Sequence, residues 1–132
     1  MKTVIHIPGR LKLSGIEQTV AEYQKRITDW SLEIESGYPS LDSNKKSLVA
    51  LDKDGQMITT EGLCDWLAKK SRQVSSIHLL IGGKEGLDEK LIKASDWSWS
   101  LGPLVFNQSL AAAVVAEQLY RCYALRTGHP YH

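Results

Sequence analysis

The chain of 132 residues carries almost no excess of charge of either sign: 16 Lys and Arg face 15 Asp and Glu, a formal net charge of +1. Strong non-specific binding to phosphate backbones shows as a large basic surplus, so any nucleic-acid partner must be met by a local basic patch or by shape. Cysteine is scarce as well. Cys64 and Cys122 lie in helix-like segments with no Cys-x-x-Cys spacing, which argues against a disulfide framework or a zinc cluster and predicts two packed thiols in a reducing compartment. No apolar run approaches the roughly 20 residues of a membrane span. The N-terminal segment Met1 to Ile7 is too short in its apolar run for a signal peptide, and Pro8-Gly9 ends it. A cytoplasmic location is the expectation. Also missing are a Gly-x-Ser-x-Gly elbow, a phosphate-loop Lys-Ser/Thr pair and the dinucleotide glycine fingerprint.

What is present is the balance of an ordinary globular protein, 42% hydrophobic and 23% charged. One domain spanning residues 1–132 is expected, with no internal repeat and no linker. Lys2 to Ile7 reads as a β-branched strand closed by Pro8-Gly9. Ile16, Val20, Tyr23 and Ile27 form one apolar stripe of a helix over Ser14 to Thr28. Leu32 to Ile34 is a short strand, Gly37 to Lys46 a loop, and Ser47 to Leu51 the next strand, ended by the turn Asp52-Lys53-Asp54-Gly55. Thr59 or Thr60 caps a helix running to about Lys70. Ile77 to Ile81 is apolar throughout, as a parallel strand buried on both faces should be. A short helix from Asp88 to Ser95, a strand from Trp97 to Leu101 and a long helix from about Ser109 to Thr127 complete the chain. Strands alternating with helices predict an α/β fold with a mostly parallel sheet. The last helix is apolar on more than one face, so it is either central or shared with a second subunit.

Two segments could carry chemistry. Gly82-Gly83-Lys84-Glu85-Gly86 follows the apolar strand, where ligands gather in open α/β sheets; the residues leave a tight turn and a ligand loop equally open. Gly128-His129-Pro130-Tyr131-His132 sets an imidazole and a phenol beside a terminal carboxylate. The proline prevents a helical histidine pair and no nearby thiol or carboxylate completes a set, so no metal is expected. A frayed tail is the bland alternative. Trp97-Ser98-Trp99-Ser100 puts two indoles on one strand face, where packing is favoured over base stacking. Arg121 and Arg126 suit the end of a helix dipole or a phosphate. Lys45-Lys46 and Lys69-Lys70 read as solvated surface, and His6 and His78 as structural residues inside strands.

Taken in order, Leu79-Leu80-Ile81-Gly82-Gly83-Lys84-Glu85-Gly86-Leu87, Trp99-Ser100-Leu101, Ala116-Glu117-Gln118-Leu119-Tyr120-Arg121 and His129-Pro130-Tyr131-His132 resemble the RlmH-type SPOUT methyltransferases. A weaker collinear match runs through Glu22-Tyr23 and Val49-Ala50-Leu51-Asp52. The resemblance implies an α/β knot fold with a C-terminal trefoil knot and a homodimer packed through its last helices. It also implies S-adenosyl-L-methionine as cofactor, bound by Leu51, Gly82, Leu101, Gly102, Pro103, Leu104, Val105 and Phe106. The implied reaction is N3-methylation of a pseudouridine in large-subunit ribosomal RNA, with Tyr131 and His132 as the catalytic tail and the ribosome, neither DNA nor membrane, as partner. The chain departs from that pattern at Asn107-Gln108 and Ala112, where Pro-His and an Arg are usual, and a helix between the second and third strands is missing. The alternative reading is a dimeric paralogue that binds cofactor or RNA without efficient methyl transfer.

Overall fold

The structure, a computed structural model, describes residues 1–41 and 45–131. Its elements are β1 (Lys2–Ile7), α1 (Ile16–Arg26), β2 (Ser31–Ser36), β3 (Lys46–Gln56), α2 (Thr60–Ser71), β4 (Ser76–Leu80), α3 (Glu89–Ala94), β5 (Trp97–Trp99) and α4 (Gln108–Thr127). The strands form one sheet in the order β2-β1-β4-β3-β5, and every pairing is parallel. All strand C-termini therefore point to one side, and the loops that follow them gather there.

Alternation along the strands separates two faces. Ile5, Ile7, Val49, Ile77, Leu79 and Ile81 join the main core with Val20 of α1, Leu63 and Leu67 of α2 and the inner residues of α4. Val4, His6, Leu48, Ala50, His78 and Leu80 lie on the opposite face and are buried as well, as a parallel sheet covered on both sides requires. Thr59 caps α2, its hydroxyl oxygen accepting from the Gly62 N–H at 3.0 Å. The indoles of Trp97 and Trp99 stack with centroids 5.9 Å apart, and Trp66 of α2 packs on Trp97 at 4.8 Å; the alternation serves packing.

Four expectations are corrected. Asp52 to Gly55 do not end β3: both Leu51 and Gln56 register with Trp99, so these four residues bulge from the ladder and the strand rejoins it. Gly55 makes this possible, because a Cβ there would lie 2.7 Å from the Ser98 carbonyl oxygen and 2.9 Å from the Trp99 nitrogen. The strand β5 stops at Trp99 rather than Leu101. A lone chain is expected to leave Val115, Leu119, Tyr123 or their neighbours uncovered; those three are instead 0%, 0% and 3% exposed, and the exposure falls on Leu110 and Leu125. The helix α4 is central, packed between α1 and α2 against β1. Finally, Cys64 and Cys122 are not free thiols but a disulfide joining α2 to α4 across 58 residues, with Cα atoms 5.1 Å apart, well within reach of a bridge.

That cross-link closes a long loop in the unfolded chain. Reduction should lower stability by about 4 kcal/mol on the loop-entropy account, read as a fall in the thermal midpoint on adding a reductant. Identical midpoints in oxidising and reducing buffer would mean that the bond adds nothing.

Candidate functional site

At the C-terminal ends of β3 and β4 lies a cleft of about 400 Å³, within the range of small-molecule sites. Three loops form its walls. From β3 come Leu51, Asp52, Lys53 and Asp54; from the turn after β4, Ile81 to Leu87; from the segment after β5, Leu101, Gly102, Leu104, Val105 and Phe106. Ile92 of α3 and Ala111 of α4 close it. Of the eight cofactor residues expected from the sequence, seven line this one cleft, and Pro103 is not among its lining residues.

The walls are held by the chain's own hydrogen bonds. The buried Ser100 hydroxyl donates to the Lys53 carbonyl at 3.0 Å, and its oxygen accepts from the Gly102 N–H at 3.0 Å. This ties the β3 bulge to the post-β5 segment. The Tyr38 phenol donates to the Ile81 carbonyl at 2.7 Å, just where β4 gives way to the glycine turn. The turn closes on itself, with the Gly86 N–H bonded to the Gly83 carbonyl at 3.0 Å. Turn and cleft-lining loop are thus the same residues. Gly82, however, is a glycine for the turn's sake: a Cβ there would meet Leu87 N at 2.5 Å and Gly86 O at 2.7 Å. A Gly82→Val change would therefore distort the loop itself rather than fill open ligand space.

Chemically the cleft combines apolar walls with three carboxylates, Asp52, Asp54 and Glu85, and two ammonium groups, Lys53 and Lys84. Such a surface accommodates a flat apolar ring together with a cationic group. The strand-ending turn that the sequence predicts at Asp52 to Asp54 conceals their place in the cleft wall. Their signal was position alone, directly after an apolar strand.

The tail goes elsewhere. Tyr131 donates its phenolic hydrogen to Glu117 Oε2 at 2.8 Å, while Arg121 pairs with the same oxygen at 2.7 Å and lies 4.7 Å from the Tyr131 ring centroid. The Tyr23 hydroxyl is 3.4 Å away. Burial, then the hydrogen bonds with Tyr23 and Glu117, push the Tyr131 phenol far above its ordinary value. It stays protonated and can only donate or orient. The arginine and tyrosine hold Glu117 ionised, its pKa below the usual carboxylate range in spite of burial. Glu117 lies six residues beyond Ala111, about 9 Å along α4 and about 120° round it, and none of Tyr23, Glu117, Arg121 and Tyr131 lines the cleft. His132, the other expected catalytic residue, lies outside the described residues. Of the departures at the start of α4, Gln108 has its Oε1 buried with no partner among the described residues, and Ala112 is fully buried. No cluster of three or more potential metal ligands occurs among the described residues, nor a helix long and apolar enough to cross a membrane.

Residues 33–132 match the family model described as predicted SPOUT methyltransferase. Ribosomal RNA large subunit methyltransferase H of Xanthomonas oryzae pv. oryzae (strain PXO99A) is 34% identical over 154 aligned positions covering 100% of this chain and 99% of the relative. The protein of the same name from Stenotrophomonas maltophilia (strain R551-3) is likewise 34% identical over 154 positions, with the same coverage. Those 154 positions exceed the 132 residues of this chain, so the relatives carry segments that it lacks. Among solved structures, a probable methylase family protein from Haemophilus influenzae Rd KW20 aligns with a TM-score of 0.62 at 12% identity, covering 96% of this chain and 68% of the other. TrmJ from Z. mobilis ZM4 aligns with a TM-score of 0.53 at 13% identity, covering 92% and 69%. At those identities the two structures speak for the fold.

Proposed function

The chain belongs to the SPOUT methyltransferase family, and from that premise we propose that it transfers a methyl group to N3 of a pseudouridine in large-subunit ribosomal RNA. The observation that carries this is the convergence of Leu51, Gly82 and Leu101 to Phe106, Pro103 apart, on one cleft at the strand C-termini. S-adenosyl-L-methionine fits the lining: apolar Leu51, Leu101 and Phe106 suit its adenine, and Asp52, Asp54 and Glu85 oppose its positive charges. When bound, it supplies an electrophilic methyl group. The chain's own residues then have three tasks. The walls keep water from the apolar end of the cleft. The carboxylates fix the orientation of a cation. The tail removes the N3 proton, which must leave as that nitrogen attacks. We assign the proton to His132, with the Tyr131 phenol, fixed on Glu117, holding the end of the chain in place.

A C-terminal trefoil knot is part of the same proposal, supported by the close passage of Gly55 over Ser98 and Trp99 and by the Ser100–Lys53 tie. So is a homodimer in which the tail of one subunit serves the cleft of the other, supported by the absence of Glu117, Arg121 and Tyr131 from the cleft's lining within one chain. Leu104 and Val105 are 70% and 82% exposed and Leu110 and Leu13 are 42% and 40% exposed. The Lys12 N–H bonded to Ser109 Oγ joins the two segments that carry the last two. Exposed apolar side chains of this kind suit an interface. Sedimentation equilibrium at micromolar concentration should give twice the chain mass of 14.7 kDa; the single-chain mass would contradict the dimer.

With a net charge of +1 the protein has little general attraction for a bare transcript. Labelled S-adenosylmethionine should therefore methylate unmodified large subunits or ribosomes far faster than an isolated stem-loop, with the label at N3 of a pseudouridine. Equal rates on both would overturn the charge argument, and no transfer to either would overturn the activity. The packing of Ala112 in place of the usual arginine favours the second reading, a binding paralogue. Cofactor binding without transfer would select it.

A further inference from the structure

The two lysine pairs that read as plain surface in the sequence are brought together by the sheet. Lys2 of β1 and Lys46 of β3 are both in register with Ser76 of β4, the strand between them, which puts their Cα atoms about 10 Å apart at one level. The Lys45 carbonyl accepts from the N–H groups of both Ser75 and Ser76 at 2.8 and 3.4 Å. These bonds hold Lys45 in left-handed backbone, φ 65°, a conformation that a lysine rarely adopts. Just before Ser75, the end of α2 turns back on itself: the Gln73 and Val74 N–H groups bond to the Lys70 carbonyl and the Arg72 N–H to that of Lys69. Six cations, Lys2, Lys45, Lys46, Lys69, Lys70 and Arg72, therefore crowd the N-terminal edge of the sheet. Lys2, Lys45, Lys69 and Arg72 are exposed, and Lys46 and Lys70 half-buried.

This is a strong asymmetry for a nearly neutral protein. Six of its 16 Lys and Arg sit on this edge, where Glu33 beside Lys2 is the acid that an ion pair brings to them. Lys2 is drawn toward Glu33 at 3.7 Å, and Lys70 lies 5.9 Å from the centroid of the Trp66 ring. Between the cations lie Gln73 and Ser75, exposed hydrogen-bonding groups. None of the large apolar side chains exposed among the described residues belongs to segments 1–2, 45–47 or 69–76. The edge thus lacks the apolar anchors of protein–protein interfaces and has the composition of a phosphate-reading surface. It is also remote from the cleft: from Ser76 to Gly82 along β4 is about 20 Å.

We propose that this basic edge is a second RNA-docking surface, which grips the phosphate backbone on the side of the sheet opposite the cleft. Resting on the reading of the protein as an RNA methyltransferase, it explains how a chain with no general basic surplus grips its substrate. Its contacts are electrostatic and independent of sequence. They set affinity and orientation and leave the choice of nucleotide to the cleft and tail.

The test is a triple variant, Lys45→Gln, Lys69→Gln and Arg72→Gln, against a control in which Lys90→Gln and Lys93→Gln remove charge from α3. Binding to a fluorescein-labelled RNA hairpin is followed by anisotropy over a salt series, with fluorescein-labelled poly-glutamate as a second probe and S-adenosylhomocysteine titration as the check on folding. The edge variant should bind the hairpin about 10-fold or more weakly at low salt, with the slope of log K against log salt smaller by about 2. The control should match the wild type, and cofactor affinity should be unchanged in all three. Hairpin affinity and salt slope unchanged in the edge variant would overturn the proposal. So would a loss confined to poly-glutamate, which would mark an acidic protein as partner. If the edge variant loses hairpin binding while the wild type methylates no RNA, the docking surface stands and the enzymatic reading falls.

Discussion

Deleting Tyr131 and His132 should leave cofactor affinity within a few-fold and slow methyl transfer by about 10²-fold or more, the usual scale of acid–base catalysis. An imide nitrogen offers its lone pair in the direction of attack only once N3–H has gone, and an imidazole that titrates near neutrality can take that proton. The proposed mechanism divides the labour. The Tyr131 phenol donates to Glu117, beneath Arg121, and is pushed far above its ordinary pKa. It cannot serve as base, so in the proposed mechanism the proton falls to His132. The deletion touches none of the residues lining the cleft. Single-turnover methylation by full-length and truncated protein, both saturated with cofactor and ribosomes, makes the comparison. An unchanged rate would remove His132 from the mechanism.

Acid should weaken the fold through a pair of histidines on the second face of the sheet. His78 Nδ1 and His6 Nε2 are 2.8 Å apart, His6 Nδ1 is 2.8 Å from the Gly37 carbonyl oxygen, and His78 Nε2 is 3.0 Å from Ser76 Oγ. One tautomer satisfies the whole chain: Ser76 donates to His78, His78 to His6, and His6 to Gly37. Burial, then the charge of His6, then Lys46 and Lys2 push the His78 pKa down to about 4, against a weaker pull upward from Glu35. His6 is lowered as well, chiefly by burial. For a base with a lowered pKa the unfolded chain takes up the proton first. Stability from His78 is therefore complete above about pH 6.5 and lost as pH falls toward about 4, a change of about 3 kcal/mol. Urea-unfolding midpoints across that window should fall steeply for the wild type and less steeply for His78→Leu. Parallel slopes for the two proteins would show that His78 is not the group responsible.

The sequence by itself determined what local chemistry governs. The β-branched run of β1, the threonine cap of α2, the uninterrupted apolar run of β4 and the broad apolar surface of α4 each carry their own periodicity or capping signal, and these elements stand near their expected bounds. Four ordered motifs determined the family as well. The rest depends on contacts between residues far apart in the chain, which form only as the sheet and helices pack. The ladder to Trp99 turns Asp52 to Gly55 from a turn into a bulge and a cleft wall. The packing of α2 on α4 turns two thiols into a bridge. Parallel pairing of β1, β4 and β3 joins His6 to His78 and gathers Lys2, Lys45 and Lys46 at one edge. Sheet register fixes which side chains become neighbours, and no single segment encodes it: each strand specifies which face is buried, while its partners along that face are chosen only when the sheet assembles.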